Sequence, residues 1–160
     1  MRNMRDDKIA FGRLLVLCWL VYGFAAMPQG AVSSIFAVLV FSIPALFSVI
    51  AIVIKYRNPT LSSPNIYVEL SYYLIVFVLT FSVLYWNSGT QGNYNIQLTH
   101  LDAAYFMIGT LSTAGTGNIV ATSELARALQ GVQMLFDLGF LLVAVTLVVT
   151  QFASSKSQPK

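Results

Sequence analysis

Thr110-Leu111-Ser112-Thr113-Ala114-Gly115-Thr116-Gly117-Asn118 is the stretch on which the fold turns. It is too polar and too rich in glycine to continue a membrane helix. Apolar segments of spanning length nevertheless flank it, Ile66 to Trp86 before and Ala128 to Phe152 after. Irregular backbone survives at membrane depth only where it is buried in protein or lines water. The pattern predicts a loop that dips into the membrane and returns.

Working outward, the 160 residues are 57% hydrophobic and 9% charged, with a mean hydropathy of +0.73. A soluble domain carries about 25% charged residues, so the composition places the chain in a bilayer. Several apolar runs reach the roughly 20 residues needed to cross a hydrocarbon core of about 30 Å. The net charge of +3 is not arranged as a basic stripe, which argues against nucleic acid as a partner. Cys18 is the only cysteine, so no internal disulfide and no cysteine-based metal site is expected. No nucleophile–base pair or metal-ligand spacing occurs, and Gly115-x-Gly117 lacks the helix-opening pattern of a phosphate site. An enzyme, a bound cofactor and a small-molecule substrate are therefore not expected.

Before the central stretch, residues 1–56 read as a transmembrane hairpin. Its first run is Ile9 to Met27, with Arg13 able to snorkel to the headgroups. The alternative for this run is a signal peptide, against which stand Asp6, Asp7 and the lack of a clean cleavage site. Pro28-Gln29-Gly30 is a turn, and Ala31 to Ile54 is a second span with a kinking Pro44. Residues 57–65 form a linker to a second membrane unit over 66–160. In it, 66–86 is an outer helix, with Glu69 in its first turn and Tyr72, Tyr73, Tyr85 and Trp86 towards its ends, as interfacial aromatics lie. Asn87 to Leu98 reads as an exposed polar loop. Thr99 and Asp102 form a capping box that opens a half-helix over 100–112, too short to span. The loop 113–118 and a polar return through Ser123, Glu124 and Arg127 precede an inner helix over 128–152.

Four spans put both termini on one side. Eight of the nine basic residues (Arg2, Arg5, Lys8, Arg13, Lys55, Arg57, Lys156, Lys160) fall on that side, and only Arg127 on the other. Cytoplasmic loops carry such an excess, so both termini are expected in the cytoplasm and the half-helix enters from outside. A plasma membrane of a prokaryote suits the small size.

Gly115 and Gly117 alternate with other residues, so the backbone can take positive φ where a carbonyl turns inward. Ala114 and Thr116 would then point into the wall, and Thr113 offers a carbonyl and a hydroxyl. The half-helix aims its C-terminus, with about half a negative charge, at the membrane centre, where it favours a cation.

These residues resemble the pore loop of potassium channels, whose filter typically reads Thr-Val-Gly-Tyr-Gly-Asp. The match runs from Asp102-Ala103-Ala104-Tyr105-Phe106 through Thr113-Ala114-Gly115-Thr116-Gly117-Asn118-Ile119-Val120, within about 95 residues from Ile66 onward. The resemblance implies an all-α membrane protein with a re-entrant helix and filter loop. It implies K⁺ held by oxygens of Thr113, Ala114, Gly115 and Thr116, with Gly117 completing the filter. One loop makes one wall, and the family closes the ring with four copies, so a homotetramer in the bilayer is implied. Residues 9–54 contain no arginine ladder, so no voltage sensor is read there.

The chain departs from the family at three positions: Ala114, Thr116 and Asn118 stand for valine, tyrosine and aspartate. Tyr105, Phe106 and Asn118 are expected to support the filter, with Tyr105 hydrogen-bonded to the Thr116 hydroxyl. A less braced wall implies conduction of K⁺ with weak discrimination against Na⁺. A weakly selective Na⁺/K⁺ channel on the same scaffold and a non-conducting accessory membrane protein are the alternatives to a potassium-type channel.

Asp137, midway along the last span, has two readings: a cation-concentrating cavity ring, or an acid bonded to Gln133 one turn earlier. Gly139 is a candidate hinge. Gln133 reads as a helix–helix contact, His100 as a solvated residue at the outer mouth, Glu124 as a surface or loop-bracing acid, and Cys18 as packing.

Overall fold

A computed structural model describes residues 4–30 and 66–156. The second span expected over 31–54 and the linker over 57–65 lie outside the described residues. Four helices are present among the described residues: α1 (Met4–Ala26), α2 (Ile66–Ser88), α3 (His100–Leu111) and α4 (Glu124–Lys156). No named strand occurs among the described residues, and one isolated antiparallel bridge pairs Tyr94 with Ala121.

Leu70–Ser88 in α2 and Glu124–Thr146 in α4 are long and apolar enough to cross a membrane, and α1 carries a shorter apolar run, Phe11–Ala26. α2 is apolar all round, as a helix must be when lipid or protein covers every face. It packs against both α1 and α3, and half of its span is buried within the chain. Two of its buried hydroxyls bond back to the helix's own carbonyls. Thr80 donates to the Val76 carbonyl at 2.8 Å, and Ser88 to that of Leu84 at 2.8 Å. α4 is different. It touches α2 and α3 along its first half, where Phe140 stacks on Phe77, and leaves a long apolar surface bare, with Leu135, Leu138 and Leu142 each about 70% exposed. An apolar face of that length belongs against lipid or another protein surface.

The centre of the packed region is aromatic. Phe106 of α3 meets Tyr85 of α2 edge-on at 4.9 Å and Tyr94 edge-on at 5.4 Å. All three are fully buried. Tyr94 corrects the expectation of an exposed loop over 87–98: with Leu98, Asn87 and Ser88 it lies inside the fold. The polar composition of that loop serves its own backbone. Leu98 N–H donates to the Gly89 carbonyl at 2.8 Å, and Asn93 Nδ2 to the Ser88 carbonyl at 2.9 Å. Burial pushes the Tyr94 hydroxyl up to about 12.

The end of α1 is tied to the same loop. Gln29 Nε2 donates to the carbonyls of Gly89 (2.7 Å) and Leu98 (3.1 Å), while Trp86 Nε1 donates to that of Met27 (2.9 Å). His100 is caught in this junction and is not a freely solvated residue. Its ring stacks on Trp86 at 3.7 Å, meets Phe24 edge-on at 5.2 Å, and its Nε2 is buried without a hydrogen-bond partner among the described residues. At the other end of the pair, the Arg13 guanidinium lies 5.1 Å over the Tyr72 ring.

Candidate functional site

The site begins where α3 begins. Thr99 is extended (φ −80°, ψ 171°), and its Oγ1 accepts from the Asp102 N–H at 3.1 Å. Asp102 Oδ2 accepts from the Thr99 N–H at 2.9 Å and from its hydroxyl at 2.7 Å. The box satisfies donors that a helix start leaves orphaned. The Thr99 hydroxyl and N–H hold the Asp102 carboxyl below the usual carboxylate range.

α3 stops after one full set of turns. The Ser112 N–H still bonds to the Ile108 carbonyl at 2.9 Å, and the Thr113 N–H to that of Thr110 at 3.1 Å. The chain then adopts positive φ at every second residue: Thr113 (56°), Gly115 (91°) and Gly117 (61°). Glycine takes this conformation without penalty, whereas threonine at 113 carries about 1–2 kcal/mol of strain. Residues 112–118 are exposed on the isolated chain except for half-buried Thr116.

The loop is held from two sides. On one side stands α3. A β-carbon placed on Gly109 would lie 2.6 Å from the Gly115 carbonyl oxygen and 3.4 Å from its carbon. That oxygen therefore points at α3, and only glycine at 109 admits it. A β-carbon on Gly117 would lie 3.0 Å from the Tyr105 hydroxyl oxygen. Tyr105 thus stands beside Gly117 and not on the Thr116 hydroxyl, which donates instead to the Ile119 carbonyl at 2.8 Å. The Ile119 N–H returns a bond to the Thr116 carbonyl at 3.1 Å. Threonine closes its own turn and has no need of the distant phenol. Phe106 faces the other way, into the aromatic centre with Tyr85 and Tyr94.

On the other side stands the 87–98 loop. Asn95 Nδ2 donates to the Asn118 carbonyl at 2.7 Å, and Asn95 Oδ1 accepts from the Val120 N–H at 2.8 Å. Asn93 Oδ1 accepts from the Ser123 hydroxyl at 2.8 Å, and Ser123 Oγ accepts the Ala126 N–H at 3.1 Å at the head of α4. Arg127 Nε donates to the Ala121 carbonyl at 3.3 Å, while Glu124 is exposed.

Beneath the loop a buried glutamine joins three helices. Tyr85 donates to Gln133 Oε1 at 2.6 Å, and Gln133 Nε2 donates to the Met107 carbonyl at 3.1 Å and to Asp137 Oδ2 at 3.4 Å. Asp137 is thus turned towards Gln133 through one oxygen, and its Oδ1 is buried without a partner among the described residues. Gly139 has nothing within 4 Å of where a β-carbon would lie. Cys18 is exposed on α1.

Asn95 and Gly109 escape a reading of sequence alone. Gly109 carried a usable signal, since a glycine inside an apolar helix often marks a close backbone approach. Asn95 carried none, being one of several polar residues in a polar loop.

Residues 110–118 contain only Thr, Leu, Ser, Ala, Gly and Asn. The stretch presents neutral oxygens and no titratable group, a surface suited to a weakly hydrated cation and unsuited to proton transfer. Among the described residues no cluster of three His, Cys, Asp or Glu exists that would hold a metal ion. A comparison with curated proteins and one with solved structures each returned no match. A family model described as ion channel matches residues 73–154, which takes in α3, the 113–118 loop and most of both long helices. With more than half of its length inside that match, the chain belongs to the ion channel family.

Proposed function

We propose that the chain is one subunit of a homotetrameric, potassium-type cation channel of a plasma membrane. Residues 66–160 form the pore module and residues 1–56 a transmembrane hairpin beside it. Both termini face the cytoplasm. Oxygens of Thr113, Ala114 and Thr116 replace the hydration shell of K⁺ at a four-fold axis, joined by that of Gly115 when its carbonyl turns away from α3, and the negative end of α3 favours the cation beneath them. The ion is cargo, and no resident cofactor takes part.

One observation carries the reading: left-handed backbone at Thr113, Gly115 and Gly117, in a loop pinned between a capped half-helix and a tied return. Alternating handedness turns successive peptide planes, which is how one strand of backbone can bring several oxygens towards a single line. The apolar face of α4, left exposed among the described residues, supports assembly.

A second reading, weak K⁺/Na⁺ discrimination on the same scaffold, is favoured by Thr116. Its short side chain is spent on the Ile119 carbonyl and braces nothing beyond its own turn. Purified protein in liposomes under K⁺ or Na⁺ gradients tests both. The first expects K⁺ flux well above Na⁺ flux, the second comparable fluxes. Absence of both fluxes would sink conduction and leave an accessory membrane protein.

A further inference from the structure

The conduction reading carries a consequence for a residue outside the loop. We infer that Gly109 sets the ion preference of the pore by leaving room for one carbonyl oxygen to withdraw from the ion path.

Gly109 is buried in α3, one turn before the loop begins. The space where its side chain would stand is taken by the Gly115 carbonyl oxygen, 2.6 Å from a β-carbon at that position. The Gly115 carbon at 3.4 Å and Thr116 Cα at 3.5 Å are the next atoms met. The oxygen is nearer than the carbon to which it is bonded, so the carbonyl points into α3. The contact is backbone against backbone, with no side chain to give way. Gly115 itself, at φ 91°, has open space around its own α-carbon, and a peptide plane next to a glycine turns easily.

Two positions of the Gly115 carbonyl follow. In one it rests on Gly109, and a passing cation meets one neutral oxygen fewer per subunit. In the other it turns away from α3 and joins the neighbouring loop oxygens. A methyl group at 109 closes the first position, since the 2.6 Å separation is far below ordinary contact. Alanine is the better helix former, so the change does not weaken α3 as a helix. Gly109→Ala therefore holds the oxygen in the ion path, and a fuller shell of carbonyls favours the ion that gives up its water more readily, K⁺.

The test is the reversal potential of reconstituted channels with K⁺ on one side and Na⁺ on the other. Gly109→Ala is expected to raise the K⁺/Na⁺ permeability ratio threefold or more. Gly12→Ala, in α1 where a β-carbon meets nothing, is expected to leave it unchanged. An unchanged or lowered ratio in Gly109→Ala overturns the inference while wild-type flux keeps the conduction reading. Wild-type vesicles without flux overturn both. If four variant copies do not assemble, a linked tetramer with one Gly109→Ala copy is expected to raise the ratio by a smaller factor, and an unaltered ratio there is equally decisive against it.

Discussion

The Tyr85 hydroxyl donates to Gln133 Oε1 at 2.6 Å, and the same glutamine donates to the Met107 carbonyl at 3.1 Å. A single side chain on α4 thereby fastens α2 and α3, the helix that carries the loop. Gln133 is fully buried, so neither bond competes with water.

Removing these bonds should be graded. Hydrogen bonds between membrane helices are worth about 0.6–2 kcal/mol each. Tyr85→Phe deletes one bond and keeps the ring against Phe106, so a loss near the lower figure is expected. Gln133→Ala deletes the bonds and leaves a void, and a loss of about 2–4 kcal/mol is expected. Thermal midpoints of the purified protein in detergent report both. Equal midpoints for wild type and Gln133→Ala would show that the glutamine fastens nothing.

Gly117 stands at φ 61° with the Tyr105 hydroxyl 3.0 Å from where a β-carbon would be. Gly117→Ala meets two obstacles: left-handed strain of about 1–2 kcal/mol and the phenol oxygen. Liposome K⁺ flux is expected to fall at least tenfold. Tyr105→Phe added to it removes only the second obstacle and is expected to restore part of the flux. Wild-type flux in Gly117→Ala would show that this backbone conformation is not needed for conduction.

The parts of this site that could be read from residue order are the local ones. The Thr99–Asp102 box closes over three residues, and glycines at 115 and 117 mark their backbone by themselves. Contacts between distant segments left little trace. Tyr94 sits in a run of Asn, Gln, Gly and Thr that reads as surface, yet it is buried because Phe106 and Tyr85 cover it. Tyr105 and Phe106 are adjacent and both aromatic, but a helix turns about 100° between them, so one faces Gly117 and the other the aromatic centre. His100 looks like a mouth residue until Phe24 of α1 and Trp86 of α2 close around it. The same limit applies to Gly109, whose partner lies six residues on but across a reversal of the chain.

Asn95 spans the loop return with two bonds, to the Asn118 carbonyl and the Val120 N–H. Asn95→Ala frees both. At about 1 kcal/mol per bond, hydrogen exchange of the Val120 amide should quicken by about tenfold or more. Exchange at the Ala103 amide, inside the α3 cap, should stay as it is. Equal rates at Val120 in the two proteins would mean that other contacts hold the return.

The α3 cap should be sensitive to acid. The Asp102 carboxyl is held below its ordinary value by Thr99, so its bonds contribute stability that is fully present above the usual carboxylate range, near pH 4. That contribution is lost as the pH falls through the lowered value. Thr99→Ala is expected to cost about 1 kcal/mol at neutral pH and to flatten the decline of the thermal midpoint below pH 4. An identical acid profile in wild type and Thr99→Ala would remove Asp102 as its source.

Asp137 decides between two roles that its position alone leaves open. Its Oδ2 takes a long bond from Gln133, at 3.4 Å, while Oδ1 has no partner among the described residues. A carboxylate in a membrane span is costly unless each oxygen meets a donor, water or a cation. In the proposed tetramer, four copies of Oδ1 lie in the assembly, and a cavity ring would offer them permeant ions. Asp137→Asn keeps the shape and the means of bonding Gln133 while removing the charge. If the acid lines the cavity, single-channel conductance in dilute K⁺ should drop by twofold or more, and the deficit should shrink as salt screens the remaining field. If it serves only Gln133, conductance stays constant at every salt concentration and the thermal midpoint shifts by less than that of Gln133→Ala. The salt series separates the two outcomes, because packing does not depend on ionic strength and attraction of a cation does.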